Sequence, residues 1–140
     1  MPSASLNRRI TFSAAHRYSR PEWSEEKNAS TFGACAWKNF HGHSYVCDIT
    51  ITGPIDPKTG FVVDLGLLDK ILKEQVKDRF DHRNINLDVP EFADGKLVPT
   101  GENLARFIFD HVQEAGNVTR VTVFRDSCQE SCSYQGSIGG

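Results

Sequence analysis

The chain has no apolar run near the roughly 18 residues that a membrane helix needs, and no strong charge of either sign. Its 16 Lys and Arg are set against 18 Asp and Glu, a net charge of −2 over 140 residues. That balance offers no broad electrostatic footprint for nucleic acid or an anionic bilayer, so neither is expected as a partner. Any phosphate has to be met by a local cluster of basic side chains. Residues Met1 to Arg9 carry no apolar stretch of the secretory kind. Without one, Cys35, Cys47, Cys128 and Cys132 are expected as free thiols in a reducing, cytoplasmic setting. The composition, 39% hydrophobic and 24% charged, fits one globular domain over 1–140. A chain of this length buries about two-thirds of its unfolded surface. There is no internal repeat and no linker.

What the chain does have is alternation. Leu6, Arg8, Ile10, Phe12, Ala14 and His16 share one side of a predicted strand. A long polar stretch follows, 17–39, of a length that is usually functional or disordered. A second strand runs from His41 to Thr52, with Tyr45, Cys47, Ile49 and Ile51 on one face; Gly53-Pro54 and Asp56-Pro57-Lys58-Thr59-Gly60 end it in turn chemistry. Helical spacing then takes over at Leu65, Leu68, Ile71, Leu72, Val76 and Phe80, behind Asp64 as N-cap. A second helix is predicted from Thr100, with Leu104, Phe107, Ile108 and Val112 as its stripe. Strands are predicted at Val118–Phe124 and Ser131–Gln135. The order ββααββ implies an α+β fold, a four-stranded antiparallel sheet with two helices on one face. Its two open edges favour assembly by sheet continuation.

Three of the five histidines carry the sharpest chemistry. His41 and His43 flank Gly42 at i and i+2, so both imidazoles leave a strand on the same side, and His16 ends the first strand. If the two strands pair, three imidazoles converge on one ion. Zinc held by three His with an open fourth position is a catalytic arrangement. The bland reading of His-Gly-His, a pair of hydrogen-bonding surface residues, stays open on that motif alone. Cys35 precedes His41 by six residues; a thiol beside a cation ionises readily and can act as base or nucleophile, or it is a small buried hydrophobe. Asp81-His82 pairs a carboxylate with an imidazole, useful in proton transfer only if a turn lets adjacent residues face each other. Its alternative is a solvated helix end. Thr100-Gly101-Glu102 is first a helix start, whose N–H groups can also meet a ligand.

Taken together, Phe12-Ser13-Ala14-Ala15-His16, Cys35-x₅-His41-Gly42-His43, Asp81-His82-Arg83-Asn84 and Pro99-Thr100-x-Glu102-Asn103 resemble the 6-pyruvoyl-tetrahydropterin synthase and 6-carboxytetrahydropterin synthase family, over residues 8 to about 136. The resemblance implies the tunnelling fold, in which sheets of three subunits join edge to edge and two trimers stack into a homohexamer with active sites between subunits. It implies Zn²⁺ on His16, His41 and His43, Cys35 as the base, and Asp81 with His82 as a second acid/base group. The substrate implied is a pterin triphosphate, 7,8-dihydroneopterin triphosphate, and the reaction a lyase elimination of triphosphate.

The family also anchors the pterin ring by a carboxylate on its third strand. Aligned through Cys128-x₃-Cys132-x-Tyr134, Asp126 takes that position; aligned without it, Arg125 does. Asp126 is the preferred anchor, with Thr100 and Glu102 as further ring contacts. Five residues between Cys35 and His41 resemble the pyruvoyl-forming branch. The carboxy-forming branch, on the queuosine route, is the alternative. A non-catalytic zinc- or pterin-binding protein is the alternative of another class.

Overall fold

A computed structural model describes residues 2–126 and 130–136 of the chain. In order they form β1 (Ser3–His16), α1 (Glu25–Phe32), β2 (His41–Pro54), α2 (Leu65–Leu72), α3 (Asp78–Phe80), β3 (Arg83–Asn84), α4 (Ile85–Asp88), α5 (Gly101–His111), β4 (Val118–Arg125) and β5 (Glu130–Tyr134). The strands make one sheet in the order β3-β1-β2-β4-β5. All neighbours are antiparallel except β3, which lies parallel to β1 at Ala14 and Ala15. The α+β class holds, but the expected four-stranded antiparallel sheet is corrected to five strands of mixed direction. The added strand is two residues long, too short to display any alternation.

Alternation decides which side of the sheet is covered. β1 and β2 pair without a slip from Ser3↔Pro54 to His16↔His41. Phe12, Ala14 and His16 are buried with Tyr45, Cys47, Ile49 and Ile51, while residues of opposite parity such as Asn7, Ser13 and Ser44 are exposed or half-exposed. Val121 and Val123 of β4 continue the apolar face. Leu68, Ile71, Leu72, Val76 and Phe80 close over it from one helical segment, and Leu104, Ala105, Phe107 and Ile108 from α5. Each of the larger of these, Val, Leu, Ile and Phe, contributes roughly 1.5–3 kcal/mol of burial.

Asp64 and Thr100 cap α2 and α5, accepting the backbone N–H groups of Leu67 and Asn103. The helix expected through Phe80 is interrupted by a wider, π-type turn at Lys73–Lys77. The polar stretch 17–39 is not structureless. Ser24 caps α1 by accepting from Lys27, Glu25 and Glu26 suit the positive helix end, and Gly33 ends it at φ 61°. A 3₁₀ turn, Gly33–Ala36, then carries Cys35. Among the described residues no strand flanks β1 on its outer side from Ser3 to Ser13, so that edge is open. Cys35, Cys47 and Cys132 are free thiols; Cys128 lies outside the described residues. No helix among them is long and apolar enough to cross a membrane.

Candidate metal centre and active site

Strand register brings the three imidazoles together. His16 stands opposite His41 and Ala14 opposite His43, with all three rings on the helix-covered face. Ring centroids lie 4.7 Å (His16–His41), 4.9 Å (His16–His43) and 4.8 Å (His41–His43) apart. One nitrogen from each lies within 4.8 Å of the others. Gly42 is not forced by crowding, since a Cβ there would stand 3.7 Å from the Ala14 carbonyl.

Hydrogen bonds fix which nitrogen of the His16 and His43 rings is open. His16 Nδ1 lies 3.0 Å from the Pro99 carbonyl oxygen. A carbonyl only accepts, so Nδ1 carries the hydrogen and Nε2 the lone pair. His43 Nδ1 donates to Asp126 Oδ2 at 2.7 Å, again leaving Nε2 as an acceptor. Both Nε2 atoms are buried and, among the described residues, have no hydrogen-bond partner. Two orphaned acceptors cost stability unless a cation lies between them. Burial, reinforced by the neighbouring His41 and His43, pulls the His16 pKa down to about 3, and burial also lowers that of His41. Three imidazoles with converging nitrogens, two of them (His16 and His43) steadied through Nδ1, fit a bound metal ion.

The same shift predicts acid sensitivity once metal is chelated. Between the ordinary value near 6.5 and the folded value near 3, the unfolded chain binds a proton at His16 that the folded chain refuses. Stability therefore falls as pH drops through that window, by up to about 1.4 kcal/mol per pH unit. Urea midpoints of the chelated protein at pH 7 and pH 5 test this; equal midpoints, after allowance for the carboxylates by a His16→Gln control, would refute it.

Asp81 and His82 do meet in a turn. His82 adopts φ 60°, a left-handed conformation uncommon for a side-chain-bearing residue. Its Nδ1 donates to Asp81 Oδ2 at 2.9 Å, and its backbone N–H donates to the Ser13 carbonyl at 2.7 Å. Asp81 Oδ1 accepts from the Ser13 N–H at 2.9 Å. That bond first, then His82 and Lys77, hold the Asp81 carboxyl below its usual range. His82 opens onto a groove of about 570 Å³ that it shares with Ser13, Gly42, His43 and Asp126.

Cys35 lies elsewhere. Half-buried on its 3₁₀ turn, it accepts the Tyr18 N–H at its carbonyl, 2.7 Å, which ties the turn to Tyr18. The Tyr18 ring packs its edge on His16 at 4.8 Å. Cys35 thus stands on the Tyr18 side of the imidazoles, linked to His16 through Tyr18. Among the described residues no hydrogen bond or ion pair joins it to Asp81 or His82 within one chain.

Of the remaining expected site residues, Thr100 is occupied as the α5 cap, and Glu102 accepts from the Cys132 thiol at 3.1 Å. Burial first, then Glu102, raises the Cys132 pKa to about 12, which makes it inert. Asp126 has both oxygens engaged: Oδ2 by His43 and Oδ1 by the Ser44 N–H at 3.1 Å. Register puts the competing residue, Arg125, opposite Tyr45 on the imidazole face, where Nη1 donates to the Tyr18 hydroxyl at 3.2 Å and Nη2 pairs with Glu130 at 2.5 Å. Tyr18 and Glu130 were not singled out from sequence. The cross-strand pairing Arg125↔Glu130 was the available signal for the second.

Fold and site define an α+β protein with a three-imidazole centre suited to a metal, flanked by a thiol and by a carboxylate–imidazole pair. Residues 5–137 match the family model for 6-pyruvoyl tetrahydropterin synthase, and the chain belongs to that family. It is 44% identical over 111 residues to the 6-pyruvoyl tetrahydrobiopterin synthase of Homo sapiens, covering 79% of this chain and 75% of that one. The Drosophila melanogaster protein of the same name is 41% identical over 112 residues, covering 80% and 66%. The solved structure of Caenorhabditis elegans 6-pyruvoyl tetrahydropterin synthase superposes with a TM-score of 0.88 at 34% identity, covering 98% of each chain.

Proposed function

We propose that the chain is a zinc-dependent lyase that converts 7,8-dihydroneopterin triphosphate to 6-pyruvoyl-tetrahydropterin with elimination of triphosphate. The observation that carries this reading is the convergence of three imidazoles in a chain 40–44% identical to proteins that bear the 6-pyruvoyl name. His16, His41 and His43 hold the zinc ion, which when bound supplies Lewis acidity toward the hydroxyls of the substrate side chain. Cys35 takes the carbon-bound proton. His82, its Nδ1 hydrogen committed to Asp81, exchanges a proton at Nε2. Asp81 stays ionised and stabilises the imidazolium that forms.

The separation of Cys35 from the Asp81–His82 pair supports a site completed by a second copy. We assign residues 1–140 to one domain of the tunnelling fold. Three copies join along the open β1 edge and two such rings stack into a hexamer, in the cytoplasm. Asp126 serves here by holding His43, and Thr100 and Glu102 border the ring site at the α5 start. Incubation with dihydroneopterin triphosphate and mass analysis of the products tests the reaction. A retained three-carbon diketo side chain supports it. Released acetaldehyde would select the carboxy-forming reaction instead, and unchanged substrate a binding protein.

A further inference from the structure

Next to the imidazoles the covered face carries a narrow slot walled by Tyr18, Tyr45, Gly101 and Cys132, with Arg125 and Glu130 at its mouth. Its free space is about 10 Å³, at the limit of what a single water occupies. A ligand therefore meets the two charged groups at the mouth and not the floor. Both can be reached from solvent, with 28% of the Arg125 side chain and 55% of the Glu130 side chain exposed.

Their chemistry is a matched edge. A guanidinium has five N–H donors, of which hydrogen bonds to Tyr18 and the pairing with Glu130 use two. Only Oε2 of Glu130 is engaged, by Arg125; among the described residues Oε1 has no partner. A free acceptor thus stands beside free donors. That pattern complements a heterocycle whose edge carries a carbonyl, a ring N–H and an exocyclic amine in a row. The carbonyl accepts from the guanidinium, and the two nitrogens donate to the carboxylate. Asp126 is placed elsewhere: each of its oxygens already accepts a protein N–H, and it lines the groove beside Ser13 and His82 and not this slot.

Resting on the pterin reading above, we propose that Glu130, held in place by Arg125, anchors the 2-amino-4-oxo edge of the substrate ring. A carboxylate reaching over from β5 so replaces the single carboxylate expected at the end of β4. Tyr18 links the anchor to the metal centre: its hydroxyl accepts from Arg125 and its ring edge rests on His16. A ring held at the slot mouth directs its side chain toward the imidazoles and Cys35.

The test uses the metal-loaded protein, with neopterin as a fluorescent, phosphate-free probe. Glu130→Gln keeps the shape but removes the charged acceptor, and is expected to weaken neopterin binding by about tenfold to a hundredfold. KM should rise correspondingly with kcat little changed and zinc content intact. Lumazine, which keeps the ring N–H but carries an oxo in place of the 2-amino group, should lose much less affinity than neopterin in Glu130→Gln, so the preference for the aminated ring narrows. Arg125→Lys should weaken neopterin less than Glu130→Gln, since the charge remains but the fork is lost. Wild-type affinity in Glu130→Gln, or the full loss appearing in Glu102→Gln instead, overturns the anchor. If wild type releases triphosphate yet Glu130→Gln is unaffected, only the anchor falls; if wild type neither binds neopterin nor turns over, the pterin reading falls with it.

Discussion

Cys35→Ser is expected to lower triphosphate release by about 10²–10⁴-fold, the range of a lost general base, with bound metal unchanged because the thiol is not among the three converging ligands. His82→Ala should fall in the same range. The informative experiment mixes the two inactive proteins. Cys35 stands on the Tyr18 side of the imidazoles, and His82 opens onto the groove beside Ser13 and Asp126. If one site takes its thiol and its acid/base pair from different copies, co-refolding yields some sites with both groups intact. Random mixing gives about a quarter of the sites when two copies contribute. Recovery of rate on mixing, absent for either variant alone, is the expected result. Two variants that stay inactive when mixed, although a sizing column shows mixed oligomers, would place both groups in one chain and refute the shared site.

The convergence of the three imidazoles was legible in the sequence because it depends on short-range rules. A period of two puts His41 and His43 on one side, and an unslipped β1–β2 ladder is all that His16 needs to join them. The caps Asp64 and Thr100 were legible for the same reason, each bonding only three residues ahead. What stayed hidden depends on long-range geometry or on signals too brief to register. β3 is two residues long. Helix α1 is so polar that its apolar stripe is weak, yet Ser24-Glu25-Glu26 at one end and Gly33 at the other are start and stop signals that a capping argument can read. The Asp81–His82 contact required a backbone conformation, φ 60° at His82, that its residue type does not announce.

The end of β4 shows the same division. From sequence, Arg125 and Asp126 compete for one role, because neighbouring residues on a strand face opposite sides and an alignment shift of one exchanges them. Pairing with β2 resolves the competition: Arg125 lies opposite Tyr45, and Asp126 turns at φ 52° with its N–H donating to the Ser44 carbonyl at 2.7 Å. The partner of Asp126 is His43, 83 positions away in the chain, beyond any local pattern.

Asp126→Ala is therefore expected to weaken metal binding by about tenfold to a hundredfold, the usual effect of removing a carboxylate that orients a ligand histidine. The carboxylate holds the hydrogen on His43 Nδ1, which keeps the lone pair on Nε2; without it the ring is free to rotate and to exchange tautomers. Its own pKa is held low, first by the His43 N–H and also by the Ser44 N–H, so it remains an acceptor across the neutral range. Competition with a colorimetric chelator measures the affinity, and neopterin binding at saturating zinc measures the ring site separately. The two carboxylates should give crossed results: Asp126→Ala loses metal affinity and keeps the ring, while Glu130→Gln keeps metal and loses the ring. Neopterin affinity lost in Asp126→Ala with its zinc affinity intact would make Asp126 the ring anchor and leave His43 to be oriented by something else.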